Sequence, residues 1–137
     1  MVSIIIPAYG TPSFLDRAIS SVFDQTFKDW ELIIVDDNDP GTDARFCTES
    51  IVNRFLMKYN RVKYIRHDHN MNGAVARNTG FAIAEGKYIS LLDSDDEYKP
   101  TRIEKCVRVM ENSSEKIAGV YTGCEFRRKG KTFNRFS

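Results

Sequence analysis

Leu32-Ile33-Ile34-Val35-Asp36-Asp37-Asn38-Asp39-Pro40-Gly41 is the stretch that decides the fold. Four consecutive branched apolar residues between polar ones read as a strand buried on both faces, the form strands take in a parallel sheet covered by helices. The run stops in a turn rich in Asp, Asn, Pro and Gly, so Asp36 and Asp37 stand just past the strand's C-terminal end. In open α/β sheets that edge is where ligands bind. A second such arrangement lies downstream, where Tyr88-Ile89-Ser90-Leu91-Leu92 leads into Asp93, Asp95 and Asp96. At an effective dielectric of ~20, two carboxylates about 4 Å apart repel by ~4 kcal/mol. A fold that gathers these acids retains protons or recruits a cation, and a divalent ion holding a phosphorylated ligand is the simplest account.

Outward from the first stretch, strands and helices alternate with short connections, an α/β pattern. Val2 to Ile6 reads as the first strand, stopped by Pro7, and Thr11 as the cap of a helix that starts at Pro12 and runs to about Gln25. Leu15, Ala18, Ile19, Val22 and Phe23 form its apolar stripe. After the second strand, Glu31 to Val35, Thr42 or Asp43 caps a helix to about Tyr59, with Ala44, Cys47, Ile51 and Phe55 at helical spacing. Val62 to Ile65 is a third strand, 66–73 a polar loop, and Ala74 to Ala84 a helix closed by Gly86 as a left-handed cap. Lys87 to Leu92 is the fourth strand. Pro100 begins a helix with Ile103, Cys106, Val107 and Met110 inward, and Ala118 to Phe126 reads as a fifth strand before a basic turn, Arg127 to Lys131. The last few residues carry no pattern of their own.

The 137 residues fit a single domain, 1–137, and the composition, 42% hydrophobic and 28% charged, is that of an ordinary globular protein. A net charge of +1 gives no electrostatic case for a nucleic-acid partner. No apolar stretch approaches the ~20 residues of a membrane span, and the chain opens on Val2-Ser3-Ile4 without a basic leader, so the expected location is the cytoplasm. Cys47, Cys106 and Cys124 are odd in number and widely spaced, which suggests reduced, mostly buried thiols.

Several short blocks occur in a characteristic order: Ser3-Ile4-Ile5-Ile6-Pro7-Ala8-Tyr9, Gln25-Thr26, Leu32 to Asn38, Asn72-Gly73, Ala76-Arg77-Asn78-Thr79-Gly80 and Leu92-Asp93-Ser94-Asp95-Asp96. Over residues 2 to 112 the chain resembles the family 2 glycosyltransferases of the GT-A fold, a Rossmann-like, mainly parallel sheet flanked by helices. The resemblance implies a nucleotide diphosphate sugar as donor, with UDP favoured, and a saccharide or lipid-linked acceptor. It also implies transfer with inversion, in cell-surface polysaccharide biosynthesis. It assigns Pro7, Ala8 and Tyr9 to the base pocket, Asp37 to the base N3–H and Arg77 to the nucleotide. The acidic triplet corresponds to the family's Asp-x-Asp motif, in which one carboxylate meets the ribose and another holds Mn²⁺ or Mg²⁺ against the diphosphate. Both Asp93-x-Asp95 and Asp95-Asp96 fit, so Asp93 and Asp95 are assigned to the nucleotide, and Asp95 and Asp96 to the metal. Asp37 would accept equally from thymine N3–H or guanine N1–H, so UDP rests on the resemblance alone.

The resemblance also implies an acidic base for the acceptor hydroxyl, downstream of the metal motif. After Asp96 the acids are Glu97, Glu104, Glu111, Glu115 and Glu125; Glu104 and Glu111 fall on a helix, Glu115 in a turn, and Glu125 is carried as the candidate base. The family's acceptor-side Gln-x-x-Arg-Trp block is absent, as Trp30 is the only tryptophan. The expectation is therefore the nucleotide-sugar portion of a larger enzyme, with a non-catalytic nucleotide-binding module as the alternative. His67-Asp68-His69 has no third ligand at suitable spacing and reads as a polar surface loop. The basic segment from Arg127 to Arg135 reads as a solvated hairpin; contact with acidic lipid at the inner membrane face is the other reading. No Gly-x-Gly-x-x-Gly or Walker element occurs, which argues against dehydrogenase and kinase-like chemistry, and no Gly-rich basic loop follows the first strand, as a nucleotidyltransferase would want.

Overall fold

The computed structural model describes residues 1–114, 117–128 and 131–136, with side chains up to Phe126. In chain order the elements are β1 (Val2–Ala8), α1 (Pro12–Phe23), β2 (Trp30–Asp36), α2 (Asp43–Leu56), β3 (Val62–Arg66), α3 (Asn72–Ile83), β4 (Tyr88–Leu91), α4 (Arg102–Asn112), β5 (Cys124–Arg128) and β6 (Lys131–Phe136). The first four strands form one sheet in the order β3-β2-β1-β4, with every pairing parallel. After β3 the chain crosses to the far side of β1. The strand order thus reverses between β1 and β4, the place where such sheets open a crevice at their C-terminal edge.

The apolar run around Ile33 is a strand buried along its whole length. Its alternate side chains feed two cores. Val2, Ile4, Ile6, Leu32 and Ile34 pack with Leu15, Ile19, Val22, Val52 and Ile103 of α1, α2 and α4. Ile5, Ile33 and Val35 pack on the other face with Ala76 of α3. Gly80 lets α3 lie against β1, since a Cβ there would stand 2.5 Å from Ile5 Cγ2. Gly80→Ala should therefore cost about 1–3 kcal/mol, read as a lower urea midpoint at unchanged m-value.

Several local expectations are corrected. Pro7 does not end β1, which pairs on through Pro7↔Val35 and Ala8↔Asp36. The backbone of Ala8 faces β2, where its carbonyl accepts from Asp37 N, and that of Ile5 faces β4, where its carbonyl accepts from Leu92 N. Pro7 therefore turns its missing N–H to the β4 side, beyond the end of the β1–β4 ladder at Leu91. Gly86 is not a left-handed cap; the helix ends at Ala84 in extended geometry. A Cβ at Gly86 would meet Ser3 N at 2.6 Å, so close approach to β1 is what demands glycine. Along α2 the fully buried positions are Arg45, Thr48 and Val52, one residue round from the expected stripe, and Cys47 is exposed. Cys124 is also exposed and Cys106 half-buried, so the thiols are not mostly buried. Polar residues take the inward face of α2 because they serve polar groups at the sheet edge, which apolar spacing cannot reveal.

Pro100 precedes α4 rather than starting it. The fifth strand begins only at Cys124 and pairs with β6 in a separate antiparallel hairpin, so the final residues are patterned after all. A strand needs a partner for its backbone groups, and Lys131–Phe136 supplies one to β5. Lys129 and Gly130 of the basic turn, and Glu115, lie outside the described residues.

At the opposite end of the sheet, buried Glu31 accepts from Ser3 Oγ at 2.6 Å and Glu85 N at 2.7 Å and pairs with Lys63 Nζ at 2.8 Å. Burial pushes its carboxyl up, but Lys63, Ser3 and the Glu85 amide outweigh it and hold the group below its ordinary 4.5. A depressed acid stabilises the fold above its unfolded value and loses that contribution as pH falls through the folded value. Glu31→Gln should therefore flatten the acid limb of a stability-versus-pH curve below about pH 4.5.

Candidate functional site

Three segments leave the C-terminal edge of the sheet and are tied to one another. Asn38, just past β2, accepts from Gly10 N through Oδ1 at 2.8 Å, joining the ends of β1 and β2. Thr11 and Ser94 share a hydroxyl–hydroxyl bond of 2.7 Å, joining the β1–α1 turn to the acidic loop after β4. The expected Thr11 cap is not made, because its hydroxyl is spent on Ser94 and on Tyr9 O. Arg77 on α3 pairs with Asp93 at 2.6 Å. These links tie the β1–α1 turn to the segment after β2 and to the acidic loop after β4, and the acidic loop to α3.

Asp36 and Asp37 turn inward. Asp36 is fully buried: Oδ1 accepts from Asn38 N at 3.0 Å and Asn38 Nδ2 at 2.7 Å, and Oδ2 from the Tyr64 hydroxyl at 2.5 Å. Arg45 Nε stands 3.6 Å from Oδ2, and the Arg45 guanidinium also donates to the carbonyls of Asn38 and His67. Burial first, and then the adjacent Asp36 carboxylate, raise the Tyr64 hydroxyl above its ordinary range, so it stays a donor. Asp37 is 1% exposed. Its Oδ1 takes His67 Nδ1 at 2.7 Å and Met71 N at 2.8 Å, and its Oδ2 takes Asn70 Nδ2 at 3.1 Å. A carboxylate only accepts, so Nδ1 of His67 carries a proton, while Nε2 stands 2.9 Å from Thr79 Oγ1.

His67 is thus buried, whereas the rest of the expected polar loop, Asp68 and His69 included, is exposed. Nothing in the sequence marked Arg45, and the His67-Asp68-His69 pattern pointed to a surface loop, because each residue acts through partners 7 to 30 positions away. The helix α3 that carries Arg77 starts at Asn72, whose φ of 73° and Oδ1 bonds to Ala74 N and Val75 N make it the effective cap.

The acids after β4 differ in kind. Asp93 is held by Arg77, whereas Asp95 and Asp96 are exposed and neither carboxylate has a hydrogen bond or ion pair among the described residues. Partial burial, then the Asp95 and Asp93 charges, push the Asp96 carboxyl up. That mutual repulsion is what a cation would relieve. No three His, Cys, Asp or Glu side chains converge on a metal position among the described residues. Two hard oxygen donors with room for ligand oxygens and water still suit Mg²⁺ or Mn²⁺, which commonly bind through one or two carboxylates plus substrate phosphates.

Of the other residues singled out, Ala8 is buried at the end of β1, Pro7 is half-buried and Tyr9, just after β1, is 57% exposed. Glu125 does not reach the acidic loop as a free acid: Lys99 Nζ lies 2.5 Å from its Oε1. No helix among the described residues is long and apolar enough to cross a membrane.

A parallel sheet with reversed strand order, flanked by helices and carrying acids at its C-terminal edge, is an α/β domain of the GT-A type. The chain belongs to glycosyl transferase family 2, whose family model matches residues 3–134. It is 34% identical over 110 residues to the Escherichia coli UDP-Glc:α-D-GlcNAc-diphosphoundecaprenol β-1,3-glucosyltransferase WfgD, covering 80% of this chain and 41% of that one. Among solved structures, S. aureus TarS 1-349 in complex with UDP-GlcNAc superposes with a TM-score of 0.69 at 26% identity, over 80% of this chain and 31% of that one. The Pyrobaculum calidifontis mannosyltransferase PcManGT, solved with GDP-Man and Mn²⁺, shares the fold with a TM-score of 0.69 at 21% identity, over 81% and 32% of the two chains. The chain spans about two fifths of the length of the curated relatives it matches.

Proposed function

We propose that this chain binds a nucleoside diphosphate sugar, with UDP as the nucleotide, through a divalent cation held at Asp95 and Asp96. As part of its enzyme it would transfer the sugar with inversion to a saccharide or lipid-linked acceptor in cell-surface polysaccharide synthesis. The observation that carries this reading is the pair of exposed carboxylates, unpartnered among the described residues, in a loop tied to the β1–α1 turn through Ser94 and to α3 through Asp93. With no protein cation paired to these two charges among the described residues, a ligand cation would complete the site. When bound, Mn²⁺ or Mg²⁺ would act as a Lewis acid on the departing diphosphate.

The remaining roles follow from what each side chain offers. Tyr9 presents an exposed ring beside Pro7 and Ala8 for a base to lie against. Asp37, with two bonds on Oδ1 and one on Oδ2, keeps one acceptor site on Oδ2 for the base N–H. Arg77 and Asp93 together can address phosphate and ribose, one as donor and the other as acceptor. The UDP-Glc donor and diphosphoundecaprenol-linked acceptor in WfgD's name support the same substrate classes here, as does UDP-GlcNAc in the TarS complex.

Thermal unfolding with UDP, GDP and dTDP, each with and without Mn²⁺, tests the proposal. A native-state ligand at hundredfold excess over Kd adds ~2.7 kcal/mol, so UDP with Mn²⁺ should raise the midpoint clearly. No shift with any of the three would overturn it.

A second reading, nucleotide binding without transfer, is favoured by one observation. Each described acid beyond Asp96 is engaged: Glu97 by Arg17, Glu104 by Thr26, Glu111 by Lys87 and Glu125 by Lys99. This stretch then supplies the donor site and no free base. Turnover by the 137-residue chain near the ~10 s⁻¹ typical of enzymes would overturn that reading.

A further inference from the structure

The Gln25-Thr26 block belongs to the motif pattern of the sequence, yet it lies at the end of α1 and none of the roles above uses it. Its surroundings explain why a polar pair stands there. The acidic loop has two ends. The upstream end is fixed by the sheet, where Leu92 N donates to Ile5 O at 3.0 Å. The downstream end has no strand to pair with, so its backbone groups need partners from elsewhere.

The end of α1 provides them. Ser21 Oγ accepts from Tyr98 N at 3.0 Å, Gln25 Nε2 donates to Lys99 O at 2.9 Å, and Thr26 N donates to Pro100 O at 2.8 Å. Gln25 is 0% exposed and uses both ends of its amide: Nε2 also donates to Ser21 O at 3.0 Å, and Oε1 accepts from Ile103 N at 3.1 Å. Thr26 Oγ1 adds bonds to Glu104 Oε2 at 2.7 Å and Pro100 O at 3.3 Å. Three successive residues, Tyr98 to Pro100, are thus gripped one by one, starting two positions after Asp96. An apolar side chain of similar size would fill the volume among Val22 and Ile103 without any desolvation cost, so the amide is there for the backbone it holds.

We infer that Gln25 and Thr26 are positioning residues for the acidic loop, fixing its downstream end from behind the crevice so that Asp95 and Asp96 stay at the spacing a cation-bound diphosphate requires. This rests on the proposed nucleotide site and assigns to it two residues that touch no ligand. The alternative is a purely structural role, in which Gln25 does no more than satisfy the first turn of α4.

Calorimetric titration with UDP, in Mn²⁺ and in EDTA, separates the two for the wild-type chain, Gln25→Met and Thr26→Val. A positioning role predicts that Gln25→Met loses about tenfold or more of the Mn²⁺-dependent gain in UDP affinity, with the affinity in EDTA held within about twofold, as for supporting residues of metal sites. A folded Gln25→Met whose Mn²⁺ gain stays within about twofold of wild type overturns the inference. Should Gln25→Met not fold, Thr26→Val decides: it keeps the Thr26 N bond and loses only hydroxyl bonds, and about a threefold loss of the gain is expected, with no loss overturning the inference. A wild-type chain without any Mn²⁺ gain takes down the proposed site and the inference together, whereas intact wild-type gain with unaffected variants takes down the inference alone.

Discussion

Asp95→Asn is expected to abolish the Mn²⁺-dependent part of UDP binding while leaving the unfolding transition of the ligand-free chain in place. The two halves of that result have separate causes. Asp95 is exposed and partnerless among the described residues, so removing its charge breaks no contact and relieves repulsion on Asp96. Its oxygens, however, are half of the one carboxylate pair of the acidic loop that has no partner among the described residues. Removing an outer partner of a metal ligand already costs 10–100-fold in affinity, so loss of a direct donor should cost about that or more. In a thermal assay at hundredfold excess over the wild-type Kd, the ~2.7 kcal/mol of ligand stabilisation should disappear. Asp93→Asn is the contrast, because Asp93 is already neutralised by Arg77. A variant that retains the full Mn²⁺ response without Asp95 would move the cation away from this loop.

Arg45→Met should produce the largest loss of stability, about 3–5 kcal/mol, the range for leaving a buried charge without its partner. Arg45 is 5% exposed and Asp36 fully buried, so no solvent is at hand to replace the guanidinium. Tyr64 and Asn38 still donate to Asp36, but the Asn38 and His67 carbonyls lose the donor that holds the post-β2 turn and the post-β3 turn together. Urea unfolding measures the effect, with a reduced midpoint at unchanged slope as the expected result. A loss below about 1 kcal/mol would mean that Asp36 does not need its cation.

The same network shows what was legible beforehand. Ile33 and its neighbours announced a covered parallel strand, and Leu15, Ala18, Ile19 and Val22 announced a one-sided helix, because apolar spacing reports burial directly. Glycines and polar residues were harder. Gly86 is read from the chain as a helix stop and proves to be a contact point for Ser3, since glycine is chosen for either backbone freedom or closeness and the residue type does not say which. Gln25, Arg45 and His67 look like surface residues in a hydropathy pattern, and each is buried because it meets backbone groups far away in the chain.

The chain alone determined the order of strands and helices as far as β5, the acids at two strand ends and the family resemblance that relates them. Those properties are local: they depend on side-chain type and spacing along a few turns of chain. Only the tertiary structure decided which acids are free. Asp36 is enclosed by Arg45, Tyr64 and Asn38, Asp37 is left with one acceptor site beside His67, Asn70 and Met71, Asp93 is paired with Arg77, and Asp95 and Asp96 have no side-chain partner among the described residues. A carboxylate's availability is set by the donors that folding brings within about 3 Å, and those come from other strands and helices rather than from its neighbours in sequence.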